Sequence, residues 1–549
     1  MNRRKLIINT LSLVASTKII PSLAKGNKEL YTGTSEKNEG VGFLTIAEHL
    51  KPNLHHTKVQ LLRAVEFEQI SDGIFKINPD KSLSPENVSL HKLKQGDQII
   101  LDFGDHCTGY LSFMVNWAGK SADAPARLRL TFGEVASDVC QPLYPYDGMI
   151  SASWLPDEIV NIDYLPAKYE EKRRHAFRYV KVEVIGLSAN FTISLSDVNV
   201  DAVSSAGKDV GKPLSYATPM LEKIDNVAVK TLSECMQTTF EDGPRRDQRL
   251  WIGDLRLQAL ANNYSFKHNQ LIKRCLYLFA AYQDQRGYMP ACVYEKPTPR
   301  IGEAFLLDYC LLYCVTLSDF YHTTHDKVTV EQLFPVAEAQ LLSALKFVNA
   351  EGLFQLPLEI KCFIDWHKEL DKQAAMQGVI IYTLMNMIVL AEKTNHPFRA
   401  KEWHKVKEKM SIAARHHFWD QDLNLFVSGP HRQISCASQA WLGLADIVSH
   451  GLASKAIETT LESSTALQPN TPYLYHYIIE SLIKNNNSKA AVNLMTSYWG
   501  GMINQGADTF WECYKPNDLN FSPYGGKQIN SYCHAWSCTP TFFIRRYFS

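Results

Sequence analysis

The sequence predicts two units in series, an antiparallel β-sandwich followed by an (α/α)6 helical toroid. Three observations carry this. Residues 60–205 alternate apolar and polar side chains in runs punctuated by Gly, Pro, Asn and Asp, the pattern of half-buried strands. Residues 206–549 read as helix almost to the end. Within that second part some stretches are apolar nearly all round and others are apolar on one face only, which suggests an inner ring of buried helices wrapped by an outer ring.

The elements follow in chain order. MNRRKLIINTLSLVASTKIIPSLAKG opens with the basic Arg3, Arg4 and Lys5, continues with apolar residues from Leu6 to Ala15, and ends at the small-x-small triplet Ser22-Leu23-Ala24. This is the form of a secretory leader over residues 1–24, with the paired arginines compatible with a twin-arginine route. An exported protein, periplasmic or extracellular, is the expectation. Residues 25–59 read as a loosely structured lead-in. QIILDFGDHCTGYLSFMV (98–115), ARLRLTFGEV (126–135), FRYVKVEVIG (177–186) and FTISLSDVNV (191–200) then read as sandwich strands. SSAGKDVGKPLS (204–215) is a linker. FLLDYCLLYCVTLSDFY (305–321) and QGVIIYTLMNMIVLAE (377–392) read as fully buried helices, and EWHKVKEKMSIAARHHFW (402–419) as an amphipathic one. Residues 206–549 have room for about a dozen helices of roughly 11–12 residues plus loops.

Composition narrows the function classes. The 57 basic and 57 acidic residues cancel, so nothing electrostatic favours nucleic acid or an anionic membrane as partner. After the leader no stretch reaches the roughly 18 uncharged apolar residues of a membrane span. The 25 Tyr, 25 Phe and 10 Trp suit core packing and also suit stacking on the C–H faces of sugar rings. The 12 cysteines include no CxxC pair and read mostly as small buried hydrophobes rather than as a dense disulfide framework. No clustered Cys/His set suggests zinc, so neither metal nor cofactor is expected.

Two acidic constellations carry the candidate chemistry. EDGPRRDQRLWIGDLRLQ (241–258) interleaves Asp242, Asp247 and Asp254 with four arginines and with Leu250, Trp251 and Ile252, apolar residues that a plain surface loop would avoid. Asp254 could cap the following helix, and Arg246 and Arg249 could form simple ion pairs with Asp242 and Asp247. The second constellation is Trp511-Glu512, in a loop rich in Pro, Asn and Gly, where a neighbouring indole could desolvate the carboxyl. Two carboxyls from distant loops meeting in one pocket would serve glycoside hydrolysis, one donating a proton and the other activating water. A sugar-binding module would carry the same residue types.

These segments together resemble a family. EDGPRRDQRLWIGD is similar to the D-C-P-Q-R-D-E-R-L-G-W-T-G-D signature of bacterial α-L-rhamnosidases of glycoside hydrolase family 78. FIDW (363–366) resembles the family's G-D-W segment, GADTFWE (506–512) its T-x-W-E segment, and NSYCHAWSCTPTFFI (530–544) its H-x-W-S-x-x-P helix. LDFGDHCTGYLSF and AFRYVKVEV look like its preceding β-domain, so the similarity runs over about residues 95–549. The resemblance implies an inverting glycosidase acting on an oligosaccharide or polysaccharide. It implies Glu512 as general base, Asp242, Arg246, Asp247 and Asp254 around the sugar, and Trp251, Asp365, Trp366, Trp511 and His534 as pocket walls or sugar contacts. It also exposes departures. RLWIGD is one residue shorter than the signature, Gly243 stands for Cys, and Gln248 falls at the general-acid position, where an amide has no proton to give and is expected to contact the substrate. Asp247 or Asp242 then becomes the candidate donor, with both counted as catalytic beside Glu512. Arg245, in place of Gln, could meet a substrate carboxylate. The alternatives are a catalytically silent glycan-binding protein, or other glycan chemistry such as lyase action on a uronic-acid-containing glycan.

Overall fold

The computed structural model describes residues 38–549 except 72, 209, 212, 214 and 285. The leader read over residues 1–24 lies outside them. Nine antiparallel strands form the first unit: β1 (His55–Gln60), β2 (Arg63–Ser71), β3 (Ile74–Leu83), β4 (Gln98–Gly119), β5 (Ala126–Gly133), β6 (Asp157–Ile162), β7 (Ala167–Glu170), β8 (His175–Gly186) and β9 (Phe191–Ser204). Their order is β1-β9-β4-β8-β5-β6, with β2 and β7 also on β4, and β3 on β2. The 22-residue β4 organises the sheet. Its first part pairs with β2 and β8, its second with β9 and β7, and its register against β8 shifts between Asp102 and Cys107. Period-2 alternation turns Leu101, Phe113, Leu128, Leu130, Val180, Val182 and Leu195 into one dry cluster. All nine strands are hydrogen-bonded together through β4, and their inward faces form the antiparallel sheet domain expected ahead of the helices.

The loose lead-in expected over residues 25–59 is ordered over its described part. Asn38–His49 is a helix and His55–Gln60 is β1. Phe43 and Ala47 lie four apart on one helical face; Ala47 is buried in the helical core and Phe43 packs on Tyr277 with ring centroids 5.7 Å apart. Arg274 adds an ion pair to Glu48 at 3.3 Å. The helix gains its order from this packing, which twelve residues of weak local pattern do not announce.

Twelve helices build the second unit: α1 (Pro219–Cys235), α2 (Ile252–Asn263), α3 (Asn269–Ala280), α4 (Leu307–Thr324), α5 (Lys327–Leu345), α6 (Gln373–Lys393), α7 (Pro397–Phe418), α8 (Cys436–Leu444), α9 (His450–Glu462), α10 (Pro472–Lys484), α11 (Ser488–Asn504) and α12 (Pro540–Tyr547). The even helices adjoin one another in the series α12-α2-α4-α6-α8-α10, and the odd helices flank them. Every residue of α2 and of α8 is buried, although α2 carries Asp254, Arg256, Gln258, Asn262 and Asn263 and is not among the stretches that read as apolar all round. Among the described residues only α6 is long and apolar enough to cross a membrane, and it is mostly buried within the helical core. All 12 cysteines are free thiols and 11 of them are buried.

The two units are joined by buried charge. Arg245 donates to Asp138 at 2.5 Å, to Glu134 at 3.3 Å and to the Gln528 carbonyl at 3.1 Å. Glu134 also accepts from the Tyr532 amide at 2.5 Å, and its other oxygen lies 3.1 Å from His106 Nε2. Arg174 donates to Glu241 at 2.6 Å and Arg178 to Asp508 at 2.6 Å. Arg245 is therefore a brace between units, not the substrate contact considered above. Arg245→Ala leaves two carboxyls buried without their cation, and should lower the unfolding free energy by about 3–5 kcal/mol. Chemical denaturation of the two proteins side by side measures it.

Candidate active site

The stretch 241–249 connects α1 to α2 as a tight loop. The Asp242 amide donates to the Arg249 carbonyl at 2.9 Å, and the Arg249 amide returns to the Asp242 carboxyl at 3.1 Å. Gln248 closes the loop with a left-handed backbone, φ 52°, and its side chain donates to the Pro244 carbonyl at 2.9 Å. Leu250–Trp251 pairs with Cys292–Tyr294, and α2 starts immediately after. Asp254 therefore sits in the first turn of α2, where the aligned peptide dipoles favour a carboxylate. Gly253 is required beside it, because a Cβ there would lie 2.4 Å from the Tyr309 ring. From the other end of the chain, the Ala535 amide donates to the Asp242 carbonyl at 2.7 Å and the His534 amide to the Phe510 carbonyl at 2.9 Å. These bonds bring Asp242, Glu512 and His534 together.

They line a cavity of about 440 Å³. Of the residues the sequence singled out, Asp242, Arg246, Asp247, Trp251, Asp254, Trp366, Glu512 and His534 face it. Glu512 is buried and fully engaged. Arg246 donates to both its oxygens at 2.8 and 3.0 Å, Tyr524 donates its hydroxyl at 2.6 Å, and the Ser531 amide adds a bond at 3.1 Å. The same guanidinium reaches Asp247 at 3.3 Å through its other terminal nitrogen. Asp247 is partly exposed, whereas Asp242 and Asp254 are buried with no arginine or lysine partner. Burial, reinforced by Asp247 and Asp254, pushes the Asp242 carboxyl well above the usual carboxylate range. Burial, then the charge of Glu512, does the same to Asp254. His534 lies between the carboxyls, 3.7 Å from Asp254, 3.9 Å from Glu512 and 4.0 Å from Asp242. Burial and then Arg246 lower its pKa to about 3, so the imidazole is neutral at pH 7. Its Nδ1 and one Asp254 oxygen are buried without hydrogen-bond partners, an acceptor and donor set open to a ligand hydroxyl.

Three expected contacts do not reach the cavity. Gln248 is turned back onto Pro244 by its left-handed backbone. Asp247, the residue before it, faces the cavity. Trp511 packs edge-on against Tyr514 and Tyr532, on the far side of Glu512, so it does not serve as a wall. Asp365 accepts from Thr471 at 2.6 Å and from the Asn470 amide at 2.8 Å, and so fixes the start of α10. Nor do Arg246 and Arg249 pair with Asp242 through their side chains; Arg246 joins Asp247 to Glu512 instead. The residues that reading missed include Arg249 as a wall residue, Tyr309, Phe363, Tyr524 and Trp536, with Ile150 and Trp154 from the β-domain. Phe363 and Trp536 stood inside quoted motifs, so that signal was present. Trp154 had none. Trp366 meets Trp536 at 5.2 Å and Tyr524 at 5.4 Å between ring centroids, which gives the cavity an apolar, ring-lined side facing the carboxyls. One polar wall and one aromatic wall suit a pyranose, which presents hydroxyls at its rim and C–H bonds on its face.

Comparison with known proteins agrees with this geometry. Residues 61–202 match the glycosyl hydrolase family 78 alpha-rhamnosidase N-terminal domain, and residues 213–548 match the bacterial alpha-L-rhamnosidase 6 hairpin glycosidase domain. The chain belongs to glycoside hydrolase family 78. It is 41% identical to a rhamnosidase from Klebsiella oxytoca solved with rhamnose bound, over 92% of this chain and 98% of that one, with a TM-score of 0.89. A family 78 rhamnosidase of Bacillus sp. GL1 shares the fold at 18% identity and TM-score 0.71, over 86% of this chain and 49% of that one. The alpha-L-rhamnosidase of Streptomyces avermitilis complexed with L-rhamnose is 16% identical with TM-score 0.64, over 90% of this chain and 44% of that one. A search of curated proteins found no match. The protein is thus a rhamnosidase-like glycoside hydrolase with an antiparallel sheet domain ahead of a helical domain.

The depressed His534 pKa makes a pH prediction. The folded state disfavours the imidazolium while the unfolded chain binds its proton near pH 6.5, so His534 removes stability as pH falls from 6.5 towards about 3. His534→Gln should flatten the acid limb of the stability profile over that window. Urea unfolding at stepped pH checks it; an unchanged limb would refute the assignment.

Proposed function

We propose that this protein is exported and hydrolyses a terminal α-L-rhamnosyl residue from a glycan with inversion at the anomeric carbon. The observation that carries the reading is the single Arg246 guanidinium standing between Glu512 and Asp247 at the floor of the cavity. The guanidinium spans a carboxyl pair on the cavity floor, and an inverting glycosidase needs such a pair roughly 6.5–9.5 Å apart with room for a water. Glu512, compensated by Arg246 and oriented by Tyr524, takes a proton from water as that water attacks the anomeric carbon. Asp247, the partly exposed member, gives its proton to the glycosidic oxygen as the C–O bond breaks. Solvent then returns the proton from Glu512 to Asp247. Asp242, Asp254 and neutral His534 bind the sugar hydroxyls. The basic, apolar and small-residue order of the first 24 residues supports export to the periplasm or beyond.

One observation favours a second assignment of the acid. The Asp242 carboxyl is held well above the usual range by burial and by Asp247 and Asp254, which favours its protonated form. The two assignments differ in their response to leaving-group quality. Glu512→Gln should abolish turnover of both an aryl and an alkyl α-L-rhamnoside. Asp247→Asn should lose roughly 10²–10⁴-fold on the alkyl rhamnoside and much less on an activated aryl one, because only a poor leaving group needs the proton. Equal losses on both, with the selective pattern in Asp242→Asn instead, would move the acid role to Asp242. Proton NMR of the first-formed product should show the anomer opposite to the substrate; retention would reject the single-displacement mechanism.

A further inference from the structure

Two arginines line the cavity among the described residues, and they are treated very differently. Arg246 is engaged through both terminal nitrogens by Glu512, Asp247 and Tyr524, with only its Nε unpartnered. Arg249 has no side-chain hydrogen bond. Its Nε is buried without a partner, and its nearest carboxylate oxygen, on Asp247, is 3.9 Å away. The chain nevertheless holds it firmly. Its backbone is bonded in both directions to Asp242, and its guanidinium lies over Tyr294 at 4.4 Å and Trp154 at 5.8 Å. The side chain is 20% exposed, so its unbonded terminal nitrogens are open to a ligand, while the buried Nε still lacks an acceptor. The planar fork matches a carboxylate, which it can bind through two parallel hydrogen bonds.

Its position says which part of a ligand it would meet. One Asp247 oxygen faces Arg246 and Glu512, and the other faces Arg249. Taking Asp247 as the acid, as proposed above, the cleaved sugar lies on the Glu512 side and the leaving group on the Arg249 side. Trp154 walls that same side and comes from the β-domain, not from the helices.

We propose that Arg249 and Trp154 form a leaving-group subsite for a uronic acid, with the uronate carboxylate on the Arg249 fork and the sugar ring against the indole. The substrate class is then an α-L-rhamnosyl uronide, and the β-domain takes part in selecting it. The inference rests on the rhamnosidase reading and deepens it.

The test compares kcat/KM for an α-L-rhamnosyl uronic acid disaccharide with that for its uronate methyl ester, which removes the charge and adds one methyl group. The full-length wild type should prefer the acid by roughly 10–100-fold, the range of a charge-assisted hydrogen bond. In Arg249→Gln the acid-to-ester ratio should collapse towards one. Arg249→Lys, which keeps a charge without the fork, should fall between. Trp154→Ala should raise KM for both disaccharides more than for an aryl rhamnoside. A purely structural role for Arg249 would lower both rates and leave the ratio unmoved, and that result would overturn the proposal. So would a wild-type ratio near one on substrates that are hydrolysed. Failure of the wild type on every rhamnoside, the aryl one included, would overturn the rhamnosidase reading and this inference together.

Discussion

The site depends on one guanidinium. Arg246 is buried, and it neutralises Glu512 and meets Asp247 at the same time. Without that cation the cavity would hold four carboxyls within a short span, a charge density that burial does not tolerate. With it, one carboxyl is compensated and oriented, one is shared at the rim, and Asp242 and Asp254 respond by shifting towards their neutral forms. The unequal environments separate the roles. In the mechanism proposed above, four chemically similar side chains divide into a water activator, a proton donor and two sugar ligands, and they differ in the cations they touch.

Arg246 can hold that place because its loop is clamped from outside. The neighbouring Arg245 points the other way, into Glu134 and Asp138 of the sheet domain. Glu134 in turn takes the Tyr532 amide, two residues from His534. The sheet domain therefore fixes both sides of the cavity floor at once, the 241–249 loop and the 530s loop. It also reaches the rim itself through Ile150 and Trp154. These contacts tie a domain that carries none of the cavity's carboxyls to the geometry of the chemistry.

The departure from the family signature gains a physical meaning in this setting. Gln248 takes the left-handed turn that closes the loop and spends its amide on Pro244, and Asp247 beside it faces the cavity.

Much of the architecture was legible in the sequence because it follows from periodicity. Alternation marked the strands, all-round apolar stretches marked the inner helices α4 and α6, and motif order pointed to Asp242, Arg246, Asp247, Asp254, Trp366, Glu512 and His534. What was not legible depends on contacts between distant segments. The helix Asn38–His49 is stabilised by packing on α3, which no local pattern encodes. Trp511 and Asp365 sit in the right motifs, yet one packs on Tyr514 and Tyr532 and the other holds Asn470 and Thr471 ahead of α10, because rotamer and backbone direction are set by neighbours far along the chain. Trp154 and the orphaned Arg249 show the same limit. The sequence by itself determined the two-unit order, the family and the chemical types available to the site. Only the tertiary structure decided which arginine braces, which one neutralises and which one is left free, since a guanidinium's role is defined by the carboxylates within hydrogen-bond reach, and those come from residues more than 100 positions away as well as from the next residue in the chain.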